Sequence, residues 1–196
     1  MKQQSLYLLI NLFISTALYA QDNPQRELGL RLTGLDNLGV IYKKQIRENT
    51  YRRYRLAFGN LGATIVDGSP FITFSAGGAA GLEKRRPITD KLQFLYGTEL
   101  IASLGVTYAG TGSATVTNGN GPTINYQGAD LVLVTPSVGV GFVLGAMYSF
   151  NTRWYASAEL IPSVTVNGTF GGGTAVYGIQ AGFSSTSVGL TGAYRF

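Results

Sequence analysis

Hydrophobic residues alternate with small or polar ones over most of the chain after residue 26. The pattern is clearest over 132–150, where even positions carry mostly Val, Phe, Leu, Ala and Tyr and odd positions mostly Gly, Ser and Thr. Four other segments repeat it: 72–83, 92–108, 153–166 and 187–196. Because successive side chains of a strand point to opposite faces, this period of two predicts β-strands with one apolar face.

The second face of these strands carries Gly, Ala and Ser, whereas the solvent face of a soluble β-sandwich is rich in Lys, Glu, Gln and Thr. Small residues suit the crowded interior of a barrel, and an unbroken apolar face suits lipid. The charged residues of the five segments all fall in the polar register: Glu83, Glu99, Arg153, Glu159 and Arg195. Because Lys or Arg facing lipid costs about 2–4 kcal/mol, the pattern predicts an all-β, antiparallel up-and-down transmembrane β-barrel.

Eight strands are predicted, near 27–34, 38–47, 51–66, 71–85, 91–108, 131–150, 153–166 and 187–196. A register shift near Gly59 to Gly62 indicates a bulge in the third. The connections at 48–50, 86–90 and 151–152 are short and are expected on the periplasmic side, with both chain ends. Those at 110–129 and 167–186 are long and rich in Gly, Thr, Ser and Asn. Segment 174–183 leaves two possibilities open, a hairpin above the membrane or a barrel of ten strands.

The first 20 residues have the order of a secretory signal: basic Lys2, an apolar stretch from Leu6 to Ile14, and small residues before Ala20. The apolar stretch is too short for a spanning helix, which needs about 20 residues. We therefore expect a cleaved signal peptide at 1–20 and a barrel domain at 21–196. Without residues 1–20, the chain carries 14 basic and 10 acidic residues.

Composition removes several function classes. The chain contains no His and no Cys, which excludes Ser-His and Cys-His nucleophiles, His-ligated metals and thiolate sites. No phosphate-binding loop is present, since the Gly-rich stretches lack the Lys-Ser/Thr ending. We expect no enzymatic activity, no cofactor and no metal.

Basic residues cluster around the predicted periplasmic turns, and 92–152 contains no Lys or Arg. Such residues suit lipid phosphates or the lumen better than a nucleic-acid surface, so we expect outer-membrane lipid as a partner and no nucleic acid. Aromatic residues fall near the same ends, as an interfacial girdle would: Tyr51, Tyr54, Tyr148, Phe150, Trp154, Tyr194 and Phe196.

Hairpin geometry brings the inward-facing charges to similar heights. The hairpin that joins the third and fourth strands is centred near residue 68, which predicts Arg53 and Arg55 beside Glu83. The hairpin that joins the second and third strands is centred near residue 49, which predicts Lys43 next to Arg55. The complete predicted lumen charge network is Arg31, Lys43, Arg53, Arg55, Glu83, Glu99 and Glu159. The network could be an ion-paired plug or an ion-selective gate; the narrow interior of eight strands favours the plug.

The chain ends with apolar Val188, Leu190 and Tyr194 at alternate positions and a terminal aromatic, Phe196. This resembles the C-terminal signature by which bacterial outer-membrane barrels are recognised for insertion, with Gly192 as a departure. Together with the signal segment and eight strands, the chain is similar to the small OmpA-like and OmpX-like barrels without a periplasmic domain. The resemblance implies the outer membrane of a Gram-negative bacterium, the barrel-assembly machinery as a partner of the last strand, and a monomer.

The sequence thus predicts an integral outer-membrane barrel with a plugged lumen and a structural or surface-interaction role through loops 110–129 and 167–186. Two alternatives stay open. One is a narrow channel or transport protein for small solutes. The other is a secreted soluble β-barrel or sandwich that binds a ligand.

Overall fold

The computed structural model describes residues 26–33, 37–66, 69–110, 112–117, 123–128, 130–183 and 187–196. The predicted signal peptide at 1–20 lies outside the described residues. No helix in the described ranges is long and apolar enough to cross a membrane.

Twelve strands follow one another along these ranges. Their bounds are β1 Arg26–Thr33, β2 Asn37–Arg47, β3 Thr50–Val66, β4 Ser69–Pro87, β5 Leu92–Ala109, β6 Gly112–Thr117, β7 Thr123–Gly128, β8 Leu131–Ser149, β9 Trp154–Leu160, β10 Ser163–Gly171, β11 Thr174–Gly182 and β12 Val188–Arg195.

Eight of these strands close into an antiparallel barrel in the order β1-β2-β3-β4-β5-β8-β9-β12, because β12 pairs with both β9 and β1. The eight-strand prediction is confirmed and the ten-strand alternative is wrong. The predicted strand 153–166 is divided at Ile161 and Pro162 into β9 and β10, which pair with the two halves of β8. The predicted hairpin at 174–183 is present, since β11 pairs with β10.

Even-numbered residues face outward in the eight wall strands, except in the part of β3 that follows a β-bulge. The register of β3 against β4 shifts between Phe58 and Leu61, as the sequence predicts, and Leu61 then faces outward. On β8 the apolar outward residues are exposed, at 60% for Val138 and 51% for Phe142. The apolar face of the strands is therefore the outer face of the barrel.

The first described residue, Arg26, the C-terminal Phe196 and three tight turns lie at one end of the barrel. The Arg26 backbone N–H donates to the Phe196 carbonyl at 3.2 Å. The β2–β3 turn uses Asn49 with φ 55°, a left-handed conformation that Asn tolerates. The β8–β9 turn is held by the Asn151 side-chain oxygen, which accepts the Arg153 and Trp154 backbone N–H groups at 2.8 and 2.7 Å. We call this end of the barrel the turn end.

The opposite end carries the long connections. Connection 110–129 contains the two-stranded sheet β6–β7, in register from Gly112 opposite Gly128 to Thr117 opposite Thr123. Connection 167–186 contains the tip of the β10–β11 hairpin, where Gly172 has φ 57° and Gly173 φ 76°.

Candidate functional site

The predicted lumen charge network gathers the charged side chains of six wall strands. The seven residues of the predicted lumen charge network all face inward, and six are buried, whereas the Arg55 side chain is 14% exposed. They come from β1 (Arg31), β2 (Lys43), β3 (Arg53, Arg55), β4 (Glu83), β5 (Glu99) and β9 (Glu159). Strand parity explains the placement, since each odd-numbered position in these segments points into the barrel.

Glu159 interacts with three cations. Its Oε2 accepts from Arg31 Nη1 at 2.5 Å and from Arg53 Nη2 at 2.8 Å, while Lys43 Nζ lies 3.4 Å from Oε1. Side-chain exposure is 0% for Glu159, Lys43 and Arg53. Water therefore does not screen these pairs, and each charge depends on its protein partners.

Glu83 and Glu99 extend the network around the wall. Glu83 Oε2 accepts from Lys43 Nζ at 2.6 Å and from Arg53 Nη1 at 3.0 Å. Glu99 forms a two-bond pair with the Arg55 guanidinium, and Arg53 Nε lies 3.4 Å from Glu99 Oε2. Arg53 therefore contacts all three of these carboxylates and joins them into one cluster.

Two of the predicted neighbour pairs are wrong. Lys43 is directly opposite Arg53 rather than Arg55, because the β2–β3 hairpin is centred on residue 48 and its register shifts between Gln45 and Arg47. Arg55 pairs with Glu99 rather than Glu83, because Glu83 is directly opposite Tyr51 on β3 and Arg55 is directly opposite Ala79. Tyr51, predicted in the outer girdle, instead faces inward, where the Arg85 guanidinium lies 3.6 Å from its ring centroid.

A second cluster closer to the turn end was not predicted. Glu27 accepts two bonds from Arg85, at 2.8 and 2.6 Å, and one from Arg195 Nε at 3.2 Å. The Tyr155 hydroxyl donates to Glu27 Oε2 at 2.7 Å. Arg85 Nε also donates to Glu83 at 2.9 Å, which links the two clusters. Strand alternation could have predicted this cluster, since Glu27 and Arg85 occupy the same inward, odd-numbered register as Arg31 and Glu83.

Glycines stand beside the inward glutamates. Gly97 is opposite Glu83, Gly81 and Gly141 are opposite Glu99, and Gly145 and Gly189 are opposite Glu159. A Cβ at Gly81 would lie 2.6 Å from the Glu99 Cα. A Cβ at Gly189 would overlap the Arg31 guanidinium. These inward glycines leave the space in which the long charged side chains lie.

Apolar clusters lie on both sides of the charges. Toward the turn end, Leu95, Met147, Tyr155 and Ala193 form a buried cluster. Toward the opposite end, Ala109, Leu131 and Leu133 are buried, with Phe71 packed against them. The turn-end cluster shares Tyr155 with the Glu27 cluster, and Arg85 lies directly opposite Leu95, so apolar and charged side chains occupy the same level of the barrel there.

No site for a metal is evident in the described ranges, which hold no group of three or more His, Cys, Asp or Glu side chains that could bind one. Each of the four inward glutamates is paired with at least two basic side chains. The inward glutamates therefore pair with Lys and Arg side chains of the barrel itself.

No family model matches the chain, and no curated protein matches it. Some solved structures do match the chain. The crystal structure of Acinetobacter baumannii CarO has 14% sequence identity and a TM-score of 0.40, over 90% of this chain and 99% of that one. That of Acinetobacter baumannii CarO2 has 12% identity and a TM-score of 0.42, over 88% of this chain and 98% of that one. At this identity, neither match assigns the chain to a family.

The predicted C-terminal insertion residues lie on β12 and at the chain end, on the outer side of the barrel. Val188 and Leu190 are exposed, Tyr194 is half-buried and Phe196 is exposed. Since β12 pairs with β1 on one edge and β9 on the other, it is a strand that closes the barrel. Its use as an insertion signal stays a prediction.

Proposed function

We propose that the chain is an integral outer-membrane β-barrel whose lumen is closed by its own side chains. Its role is structural or surface-interacting, and the surface that interacts is formed by loops 110–129 and 167–186. The proposal includes export through the signal peptide predicted at 1–20, insertion through the last strand, and a monomeric barrel.

The membrane proposal rests on one observation: charged side chains are buried inside the barrel and apolar side chains are exposed on its outer wall. Charged Lys43, Arg53 and Glu83 are among the largest fully buried side chains, while Leu30, Leu100 and Val138 are more than half exposed on the outer wall. Exposed apolar surface this extensive is unfavourable in water and matches the hydrocarbon band, about 25 Å tall, that surrounds outer-membrane barrels. A secreted, water-soluble binder would need the opposite arrangement.

The filled interior supports a plug over a pore. An eight-stranded barrel is only wide enough for its side chains, and here the ionic cluster joins β1, β2, β3, β4, β5 and β9 across the lumen. An ion crossing this layer would have to displace buried pairs whose partners have no access to water. On the side away from the turn end, the buried cluster of Ala109, Leu131 and Leu133 adds an apolar layer.

We also infer that the protein is not an enzyme. The absence of His and Cys removes the common nucleophile-base pairs, and each inward carboxylate is already engaged by Arg or Lys side chains of the barrel. The long connections at the end opposite the turn end are the parts of the molecule best placed to meet a partner.

Three measurements on the refolded full chain test the proposal. We expect it to require detergent or lipid, to migrate differently on gels before and after heating, and to give no steady conductance in a planar bilayer. A stable conductance whose ion selectivity changes in Glu99→Gln would establish the narrow-channel alternative. A protein that stays monomeric and folded without detergent would establish the soluble alternative.

A further inference from the structure

The outer face of the barrel carries a row of basic side chains at the turn end. Arg26 on β1 is directly opposite Lys44 on β2, and Lys44 is directly opposite Arg52 on β3. All three are exposed and occupy the outward, even-numbered register. Lys84 and Arg86 continue the row on β4 and are exposed as well. These five residues are the basic arc.

Nothing in the described part of the chain neutralises the basic arc. None of its five side chains forms an ion pair or a side-chain hydrogen bond with a described residue. The acidic residues of this end, Glu48 and Asp90, lie exposed in turns. Like charges directly opposite on neighbouring strands destabilise a sheet, so an anionic partner from outside would stabilise Arg26, Lys44 and Arg52 together.

The other half of the same rim is aromatic. Where the basic arc ends, Lys84 is opposite Tyr96 and Arg86 is opposite Phe94 on β5. Outward Tyr148, Phe150, Trp154 and Tyr194 continue around β8, β9 and β12. The rim is thus divided into a basic half on β1–β4 and an aromatic half on β5, β8, β9 and β12.

We propose that the basic arc is a binding site for the phosphodiester headgroups of anionic phospholipids in the periplasmic leaflet. The inference rests on the membrane insertion proposed above and adds a lipid class and a location on the rim. Lys and Arg near an anionic surface each strengthen binding by about fivefold. Tyr42 and Tyr54, stacked at a centroid distance of 6.3 Å, lie one outward position above the row. They place the row at the interface, where aromatic residues are enriched.

The test uses tryptophan quenching by brominated lipids. Trp154 is the single Trp of the chain and lies in the aromatic half. A second protein, Tyr54→Trp with Trp154→Phe, moves the reporter beside Lys44 and Arg52. Both proteins are refolded into phosphatidylcholine vesicles that contain increasing brominated phosphatidylglycerol, and the relative association constant of the two lipids is measured at each reporter.

At the Tyr54→Trp reporter we expect phosphatidylglycerol to bind at least fivefold more tightly than phosphatidylcholine. At Trp154 we expect the two lipids to bind about equally. Arg26→Gln with Lys44→Gln and Arg52→Gln should abolish the preference. The matched control removes as many charges from the same end but outside the basic arc, at the last residue of β2 and in two turns: Arg47→Gln, Lys91→Gln and Arg153→Gln. It should leave the preference unchanged, and heat-modifiable gel mobility verifies that all variants fold.

Three results would overturn the site. Equal affinity of both lipids at the Tyr54→Trp reporter would do so, as would an equal loss in the control variant. An equal preference at Trp154 would show general attraction to a basic protein. In all three, quenching by brominated phosphatidylcholine still reports insertion, so the membrane proposal stands. No quenching by any brominated lipid would overturn both.

Discussion

Replacement of Glu159 tests whether the buried charges hold the barrel together. Glu159→Gln retains the size of the side chain and removes its charge. Arg53 keeps Glu83 and Glu99, and Lys43 keeps Glu83. Arg31 has no other ion pair among the described residues, and its Nε and Nη2 atoms already lack a hydrogen-bond partner there. The substitution therefore leaves Arg31 as a buried cation without a carboxylate.

Breaking a buried pair by removing one partner costs about 3–5 kcal/mol. Because the amide oxygen of Gln can still accept one hydrogen bond, we expect the lower end of this range, a loss of about 3 kcal/mol in the free energy of unfolding. The double variant Arg31→Gln with Glu159→Gln should lose less than the sum of the single variants, since it removes the uncompensated cation together with its partner.

The assay is reversible urea unfolding of the full chain in lipid vesicles, followed through Trp154 fluorescence. Glu48→Gln is the matched control, because Glu48 is exposed in the β2–β3 turn and should behave like the parent chain. A Glu159→Gln variant as stable as Glu48→Gln would refute the reasoning. So would strictly additive losses in the double variant, which would show that Arg31 and Glu159 do not stabilise each other.

Two further predictions concern interior packing. Gly81→Ala should lower the free energy of unfolding by about 1–3 kcal/mol, because its Cβ would lie 2.6 Å from the Glu99 Cα. Gly192→Ala, whose Cβ would meet nothing within 4 Å, should leave it unchanged or raise it; equal losses in the two variants would contradict the close-packed lumen. Tyr155→Phe removes the 2.7 Å bond to Glu27 and should cost about 1.5 kcal/mol by urea unfolding, and no loss would show that Glu27 is satisfied without it.

The barrel could be predicted because the strands alternate, apart from the β3 bulge, and the turns at one end are short. Inward and outward positions then follow from parity alone, which is why all seven predicted lumen residues face inward. The partners of each charge were harder to predict. They depend on the centre of every hairpin, and moving the β2–β3 centre from 49 to 48 places Lys43 opposite Arg53 instead of Arg55.

Other features were missed for local reasons. Arg85 stands between outward Lys84 and Arg86, so a run of basic residues hid one that faces the lumen. Glu27 lies at the start of β1, a strand of only eight residues. The break between β9 and β10 at Ile161 and Pro162 was not predicted, although Pro lacks the N–H that a wall strand normally donates.

The glycines connect these observations. A barrel of eight strands has a fixed and narrow interior, so a long charged side chain fits only where neighbouring inward positions are small. Glu83, Glu99 and Glu159 each face glycine on an adjacent strand. The 27 glycines of the chain therefore do more than form turns, because inward ones make room for the ion pairs. It follows that inward Gly opposite inward Glu is a sequence signal for a charge-filled barrel, readable once strand register is known.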